Sequence, residues 1–298
     1  MTVPGVILIL GTNGQVGTEL QRSFAGAGEV VALDRSRADL SNPESLRAVI
    51  RELRPAVILN AAAYTAVDRA ETERGLATAI NATAPGVLAE EAASLDALLV
   101  HYSTDYVFNG SKTSPWLESD ATAPLNFYGV SKLDGELAIQ AVGGKHLIFR
   151  TSWVYGPHGK NFLLTMLRLG RERDELRVVD DQMGAPTSSI AIADATRAAV
   201  DKVLSSPQEN RTGLYHLSCG GEATWCGFAR AIFERCGAQL QGKQPKVTAI
   251  RSEEFPTPAA RPRNSVLSNE RLKTRLGIEL PSWESALDEV VEKLPASS

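Results

Sequence analysis

Short apolar runs rich in β-branched residues recur along the first half of the chain, each followed by a stretch with helical patterning. VILIL (6–10) stops at Gly11; EVVALD (29–34), AVILNAAA (56–63), ALLVHYSTD (97–105) and HLIFRTSWV (146–154) follow. Continuous apolar strands of this length suit a sheet buried on both faces, as parallel sheets are. The intervening stretches predict helices over 15–25, over 41–53 with a Ser or Asn cap and Pro43 in the first turn, over 81–96 despite Pro85, and over 125–142. Such alternation predicts an α/β fold with a doubly wound parallel sheet. Right-handed crossovers then bring every strand's carboxyl end to one rim. Residues 11, 60–63, 103–105 and 151–153 are therefore expected around one crevice.

After about residue 155 the pattern loosens. Helices are expected over 161–172, 189–204, 224–237 and 283–294. A strand and turn are expected over 176–187, and a strand and loop over 213–221. Residues 240–267 are rich in Pro and Arg and show little periodicity. The expected division is a dinucleotide-binding domain over 1–155, to which later segments such as 189–204 contribute, and a smaller, discontinuous C-terminal substrate lobe over 156–298.

The 298 residues are 43% hydrophobic and carry a net charge of -4 without a block of Lys and Arg, which argues against nucleic acid or an anionic membrane as partner. Cys219, Cys226 and Cys236 match no common zinc spacing, and their odd number argues against a disulfide framework, so reduced thiols in a cytoplasmic protein are expected. VILIL has no basic segment before it and is too short for a signal peptide or a membrane span.

LILGTNGQVGTEL sets Gly11, Gly14 and Gly17 between the first strand and the first helix. The spacing is G-x-x-G-x-x-G, but the physics is that of Rossmann-type dinucleotide sites. Gly11 permits a tight turn, Gly14 lets a pyrophosphate approach backbone, and Gly17 lets the helix pack close to the sheet. Gln15 and Val16 are placed to present amide N–H groups. Asp34 ends the second strand, where an acid suits the ribose hydroxyls of NAD, whereas Arg35 next to it suits the 2′-phosphate of NADP. Both NADH and NADPH stay open.

Tyr128 and Lys132 in NFYGVSKLDGE are four residues apart and so share a helix face. A free phenol titrates near pH ~10, and a neighbouring ammonium is expected to lower that value. The tyrosine could then pass a proton to a carbonyl oxygen as hydride reaches carbon. The lysine could also hold the nicotinamide ribose. Ser103 and Thr104, at the end of the fourth strand, are candidates for a donor to the same oxygen.

GTNGQVG, NAAAYTAVDRAE, YSTDYVFNG, FYGVSKLDGE and RTSWVYG, with MGAPTS (183–188) and RPRNSVL (261–267), together resemble the extended short-chain dehydrogenase/reductases, and among them the dTDP-4-dehydrorhamnose reductases, through essentially the whole chain. The resemblance implies NAD(P)H-dependent reduction of a nucleotide-linked 4-ketosugar, with Tyr128 as proton donor, Lys132 as its partner and ribose anchor, and Thr104 as donor to the carbonyl. It implies Gly11, Gly14, Gln15, Val16 and Gly17 at the pyrophosphate and Asp39 and Leu40 by the adenine. Ala61, Ala62, Ala63, Tyr64, Thr65 and Tyr102 would lie along the cofactor, and Asp105 and Trp153 at the sugar. Arg261 and Arg263 are candidate diphosphate clamps by the chemistry of guanidinium. Some members resemble magnesium-bridged dimers held by glutamates. Ile190 and Ile192 stand where those acids would be wanted, so no structural magnesium is expected there, and monomer or homodimer stays open.

Related activities compete with this reading. A sugar dehydratase would want a second carboxylate after Asp105, where Tyr106 stands. An epimerase would keep and recycle its cofactor. A non-catalytic nucleotide-binding subunit would be expected to lack part of the Thr, Tyr and Lys set.

Overall fold

The computed structural model describes residues 2–3 and 5–295. Val6–Leu10 (β1), Glu29–Leu33 (β2), Val57–Asn60 (β3), Leu98–Thr104 (β4) and His146–Thr151 (β5) join a sixth strand, Gly213–His216, in one sheet of order β2-β1-β3-β4-β5-sixth. Every neighbouring pair is parallel. The chain leaves β1 toward β2 and then crosses back to β3 on the other side. The carboxyl ends of β1 and β3 thus flank the point where strand order reverses, the place where such sheets bind ligands.

Both faces of the sheet are covered, as the continuous apolar strands predict. Ile7, Ile9, Leu59, Val100 and Phe149 share one core with Ile192, Ala199 and Val200 of the helix Ser189–Ser205 and with Leu272 of Glu270–Leu276. Leu8, Leu10, Ile58, Leu99 and Ile148 face the other way, into a core with Leu46 and Ile50 of Pro43–Leu53 and Leu88 of Ala84–Ser94. Each of the larger side chains among these contributes about 1.5–3 kcal/mol by leaving water.

The helix expected over 81–96 is interrupted near its start. A π-helical turn, Ala79–Thr83, precedes the regular helix Ala84–Ser94, and Pro85 sits in the first turn of the latter. Proline has no N–H to give to the preceding turn, so the widened turn absorbs it. Asn42 caps Pro43–Leu53 by accepting from Ser45 N.

Beyond β5, the helices Phe162–Glu172, Trp225–Arg235 and Trp283–Glu292 enclose a second core that includes Tyr155, Phe228, Ile232 and Leu287. The aperiodic 240–267 segment holds a strand that composition did not disclose. Lys246–Ile250 pairs in parallel with Glu175–Val179. Short pairs join Met183–Gly184 to Ala223–Thr224 and Val154–Tyr155 to Thr187–Ser188. Ile190 and Ile192 are fully buried, one in each lobe's core. Hydrophobic packing accounts for both.

Candidate active site

The glycine loop has the backbone that its residues require. Gly11 has φ +80°, and a Cβ there would lie 2.7 Å from Ala62 N. A Cβ on Gly17 would come within 2.1 Å of Gly11 O, so only glycine lets the helix Gln15–Ser23 start this close to β1. Gly14 caps that helix in an extended conformation with no side chain on the first-turn N–H groups. Those donors therefore face the loop, at the positive end of the helix, as an anion site requires. The cradle fits a dinucleotide pyrophosphate. Gln15 also accepts from Asn161 Nδ2 at 2.9 Å, which ties the loop to the start of Phe162–Glu172.

At the end of β2 the two rival signals have different surroundings. Asp34 accepts from Ser36 N at 2.9 Å and from Ser36 Oγ at 2.6 Å, and these bonds hold its carboxyl below the usual range. Arg35 is well exposed and pairs with Asp39 at 3.2 Å. Asp39 in turn accepts from Ser41 N, and Leu40 is buried. The carboxylate is held by its own turn, while the guanidinium reaches outward.

The loop after β3 is clamped by a residue absent from the expectations. Asn81, fully buried in the π-helical turn, accepts from Tyr64 N at 2.8 Å and donates to Tyr64 O at 3.0 Å and to Ser131 Oγ at 3.0 Å. It thereby joins residues 61–65 to the helix that carries Tyr128. Thr65 is exposed, and the Tyr64 hydroxyl donates to Glu73 at 2.7 Å.

Asn126 caps Phe127–Val142 by accepting from Gly129 N at 2.8 Å, and this helix puts Tyr128 and Lys132 on the side of β4. Gly129 is required here, since a Cβ would meet Tyr106 O at 2.2 Å. Thr104, at the end of β4, lies beside the Tyr128 phenol and donates to Asp105 Oδ1 at 2.9 Å. The three groups form a continuous run. Ser103, the other candidate donor, donates instead to Glu136, two turns beyond Tyr128 on the same helix. Glu136 holds Arg150 through two bonds of 2.9 and 2.6 Å in the interior. That leaves Thr104 as the hydroxyl beside Tyr128.

The expected acidification of Tyr128 does not appear. Burial and the neighbouring Asp105 carboxylate push the phenol well above its ordinary value, and the nearby Thr104 hydroxyl only partly opposes them. Lys132 spends its contacts elsewhere, with Nζ 2.6 Å from Tyr102 O and 3.2 Å from His101 Nε2. Burial lowers its own pKa to about 8, against the pull of Glu136. Asp105 is nearly inaccessible and is raised to about 6 by burial, with hydrogen bonds from Ser265, Thr104 and Ser152 working the other way. Tyr102 turns its phenol into the core to meet Thr196 at 2.8 Å, so only its main chain faces Lys132.

Trp153 has φ +46°, an uncommon backbone for a bulky residue, and its indole lies against Trp225 of the second lobe. Arg261 is engaged with Asp68 at 2.9 Å and lies over the Tyr106 ring, which meets Tyr128 edge to face. Arg263 is exposed. His101, Asn81 and Trp225 were not anticipated. For the first two, the only available signal was a buried polar residue inside an otherwise apolar strand or helix.

Residues 5–295 match the sequence family described as "RmlD substrate binding domain". The chain is 49% identical to a dTDP-4-dehydrorhamnose reductase of Burkholderia thailandensis, over 97% of this chain and 98% of that protein. It is 46% identical to the Escherichia coli K12 protein of the same name, over 97% of each. A crystal structure of dTDP-4-dehydrorhamnose reductase from Bacillus anthracis in complex with NADP superposes with a TM-score of 0.89, at 36% identity, covering 98% of this chain and 100% of that one. With the glycine cradle and the Thr104–Tyr128 pair in place on this fold, the chain belongs to the dTDP-4-dehydrorhamnose reductase family.

Proposed function

We propose that the chain reduces the 4-keto group of dTDP-6-deoxy-L-lyxo-4-hexulose to dTDP-L-rhamnose, with NADPH or NADH as reductant and Tyr128 as proton donor. The observation that carries the reading is the nearness of the Thr104 and Tyr128 hydroxyls at the carboxyl rim of the sheet. A carbonyl oxygen seated between them accepts from Tyr128, and from Thr104 once that hydroxyl turns its proton from Asp105; donors aimed at developing negative charge contribute roughly 3 kcal/mol each.

A reduced nicotinamide dinucleotide, when bound, supplies the hydride. Gly11, Gly14, Gln15, Val16 and Gly17 hold its pyrophosphate. Asp34, Arg35, Asp39 and Leu40 serve the adenosine end; residues 61–65, the Tyr102 main chain and Lys132 serve the other. Tyr128 is protonated at neutral pH, as a phenol ordinarily is, and its raised pKa keeps it so. A secondary alkoxide is a stronger base than a phenolate, so the proton moves downhill from this phenol without prior acidification. Lys132 stabilises the phenolate as it forms. Asp105 and Trp153 contact the sugar, and Arg261 turns from Asp68 to the diphosphate. Residues 1–155 bind dinucleotide, and 156–298 form most of the substrate lobe. The proposed compartment is the cytoplasm, supported by three buried free thiols, and the working form is a monomer or a homodimer.

The test follows NADPH absorbance with the ketosugar nucleotide. One NADPH lost per sugar reduced is the expected outcome. Cofactor recycled without net loss points to an epimerase, and no turnover with tight nucleotide binding points to a non-catalytic subunit; either result removes the proposal.

A further inference from the structure

Behind Lys132 lies a buried polar chain that the proposed reaction does not use. His101 sits in the middle of β4 and is 1% exposed; Asn60 ends β3 and is equally buried. Asn60 Nδ2 is 3.1 Å from His101 Nδ1, and His101 Nε2 is 3.2 Å from Lys132 Nζ. Asn60 Oδ1 accepts from Ala62 N at 3.3 Å, in the loop expected along the cofactor. Burial and the adjacent Lys132 keep the imidazole neutral, so it has one N–H to place.

The hydrogen-bond inventory allows two arrangements. With Asn60 Oδ1 held by Ala62, its Nδ2 donates to Nδ1, so the ring proton is on Nε2 and points at Nζ. Only the lone pair of a neutral amine can accept it. When Lys132 is an ammonium it has no lone pair, so Nε2 must accept and the ring proton must be on Nδ1. Asn60 then turns its amide to accept from Nδ1–H with Oδ1, and Ala62 N–H is released. The two states differ by one proton, which goes to solvent when the ammonium form converts to the amine form. No other bond is made or broken except these hydrogen bonds.

We propose that Asn60 and His101 are positioning residues that couple the charge of Lys132 to the imidazole tautomer and to the Ala62 N–H in the cofactor loop. The inference rests on the proposed roles of Lys132 and that loop. The ionisable groups around Lys132 are Tyr128 and Glu136 on its own helix, His101 on β4, Arg150 on β5 behind Glu136, and Asp105 beyond Thr104. Glu136 keeps its pairing to Arg150 in both states, which leaves the ring as the partner that must rearrange. The lysine itself titrates near the middle of the accessible range, at about 8.

The test is ¹⁵N NMR of the full chain, recording the His101 ring nitrogens and the Ala62 amide from about pH 6 to about pH 10, values that bracket the ordinary His and Lys ranges. The expected result is a ring proton on Nδ1 at low pH and on Nε2 at high pH, with the Ala62 amide shifting at the same midpoint. One tautomer throughout overturns the proposal. Asn60→Asp supplies an acceptor only; it should fix the proton on Nδ1 at every pH in that range. A folded Asn60→Asp protein that still switches tautomer also overturns it. Turnover of the ketosugar without the tautomer change leaves the reaction and removes the coupling; the tautomer change without turnover does the reverse.

Discussion

The indoles of Trp153 and Trp225 stack with ring centroids 3.5 Å apart and planes 7° from parallel. Trp153 follows β5, and Trp225 starts the helix Trp225–Arg235, so the pair joins the end of the sheet to the second core. Gly184 permits the arrangement, since a Cβ there would lie 2.4 Å from the Trp153 ring. Gly184→Ala must displace the indole. The expected outcome is a rise of about tenfold or more in KM for the nucleotide sugar, equivalent to ~1.4 kcal/mol, with cofactor affinity unchanged. Steady-state kinetics and a cofactor fluorescence titration check it; an unchanged KM shows that Trp153 does not touch the sugar.

Removing the phenol tests the proton donor. Tyr128→Phe keeps the ring that meets Tyr106 edge to face and loses only the oxygen. Turnover should fall by ~10²-fold or more while cofactor still binds. Thr104→Val should cost on the order of 10²-fold in kcat, because it removes one donor to the same oxygen. The double variant should fall less than the sum of the two in free energy, since both hydroxyls serve one atom. Wild-type turnover in Tyr128→Phe would falsify the assignment.

The sheet was legible because each of its first five strands carries a short apolar run, and the rim followed from the crossover rule alone. The site was legible where one residue type has one use, as with Gly11 and Gly17 at a close backbone approach. What the sequence concealed depends on register between distant strands. His101 meets Lys132 and Asn60 only because β3 and β4 pair Asn60 with His101. The direction of the Tyr128 shift was misread because sequence places Lys132 one turn away but shows neither the burial of the phenol nor Asp105 beside it. Lys246–Ile250 escaped notice because Glu175–Val179, its partner, lies some seventy positions earlier in the chain. The pairing of Arg261, read as a candidate diphosphate clamp, with Asp68 was not visible because Asp68 lies far off in the first half.

Glu136 and Arg150 form an ion pair of 2.6 Å with both side chains almost wholly buried. Glu136 also accepts from Ser103, and Arg150 lies over the Phe108 ring. Removing one charge leaves the other uncompensated in the interior, where the usual loss is about 3–5 kcal/mol. Glu136→Gln should show that loss in urea denaturation, at nearly constant m. Replacing both residues with apolar ones of similar volume should recover most of it. A Glu136→Gln protein as stable as wild type would mean that the arginine finds water.

Asp105 makes a pH prediction whose sign follows from its environment. Burial raises its pKa from 3.8 to about 6 in the folded protein. The folded state therefore holds this proton more tightly than the unfolded chain, so between those values the native protein binds more protons and stability falls as pH rises. The contribution is complete below pH 3.8, is lost through about pH 6, and amounts to about 3 kcal/mol across the interval. Asp105→Asn carries no such proton, and the difference in unfolding free energy between variant and wild type should grow in the variant's favour from about pH 4 to about pH 7. The same substitution removes the carboxylate that helps push the Tyr128 phenol up, so the phenol's pKa should fall. Parallel stability curves for the two proteins across that interval would mean that Thr104, Ser152 and Ser265 together solvate the carboxylate as well as water does.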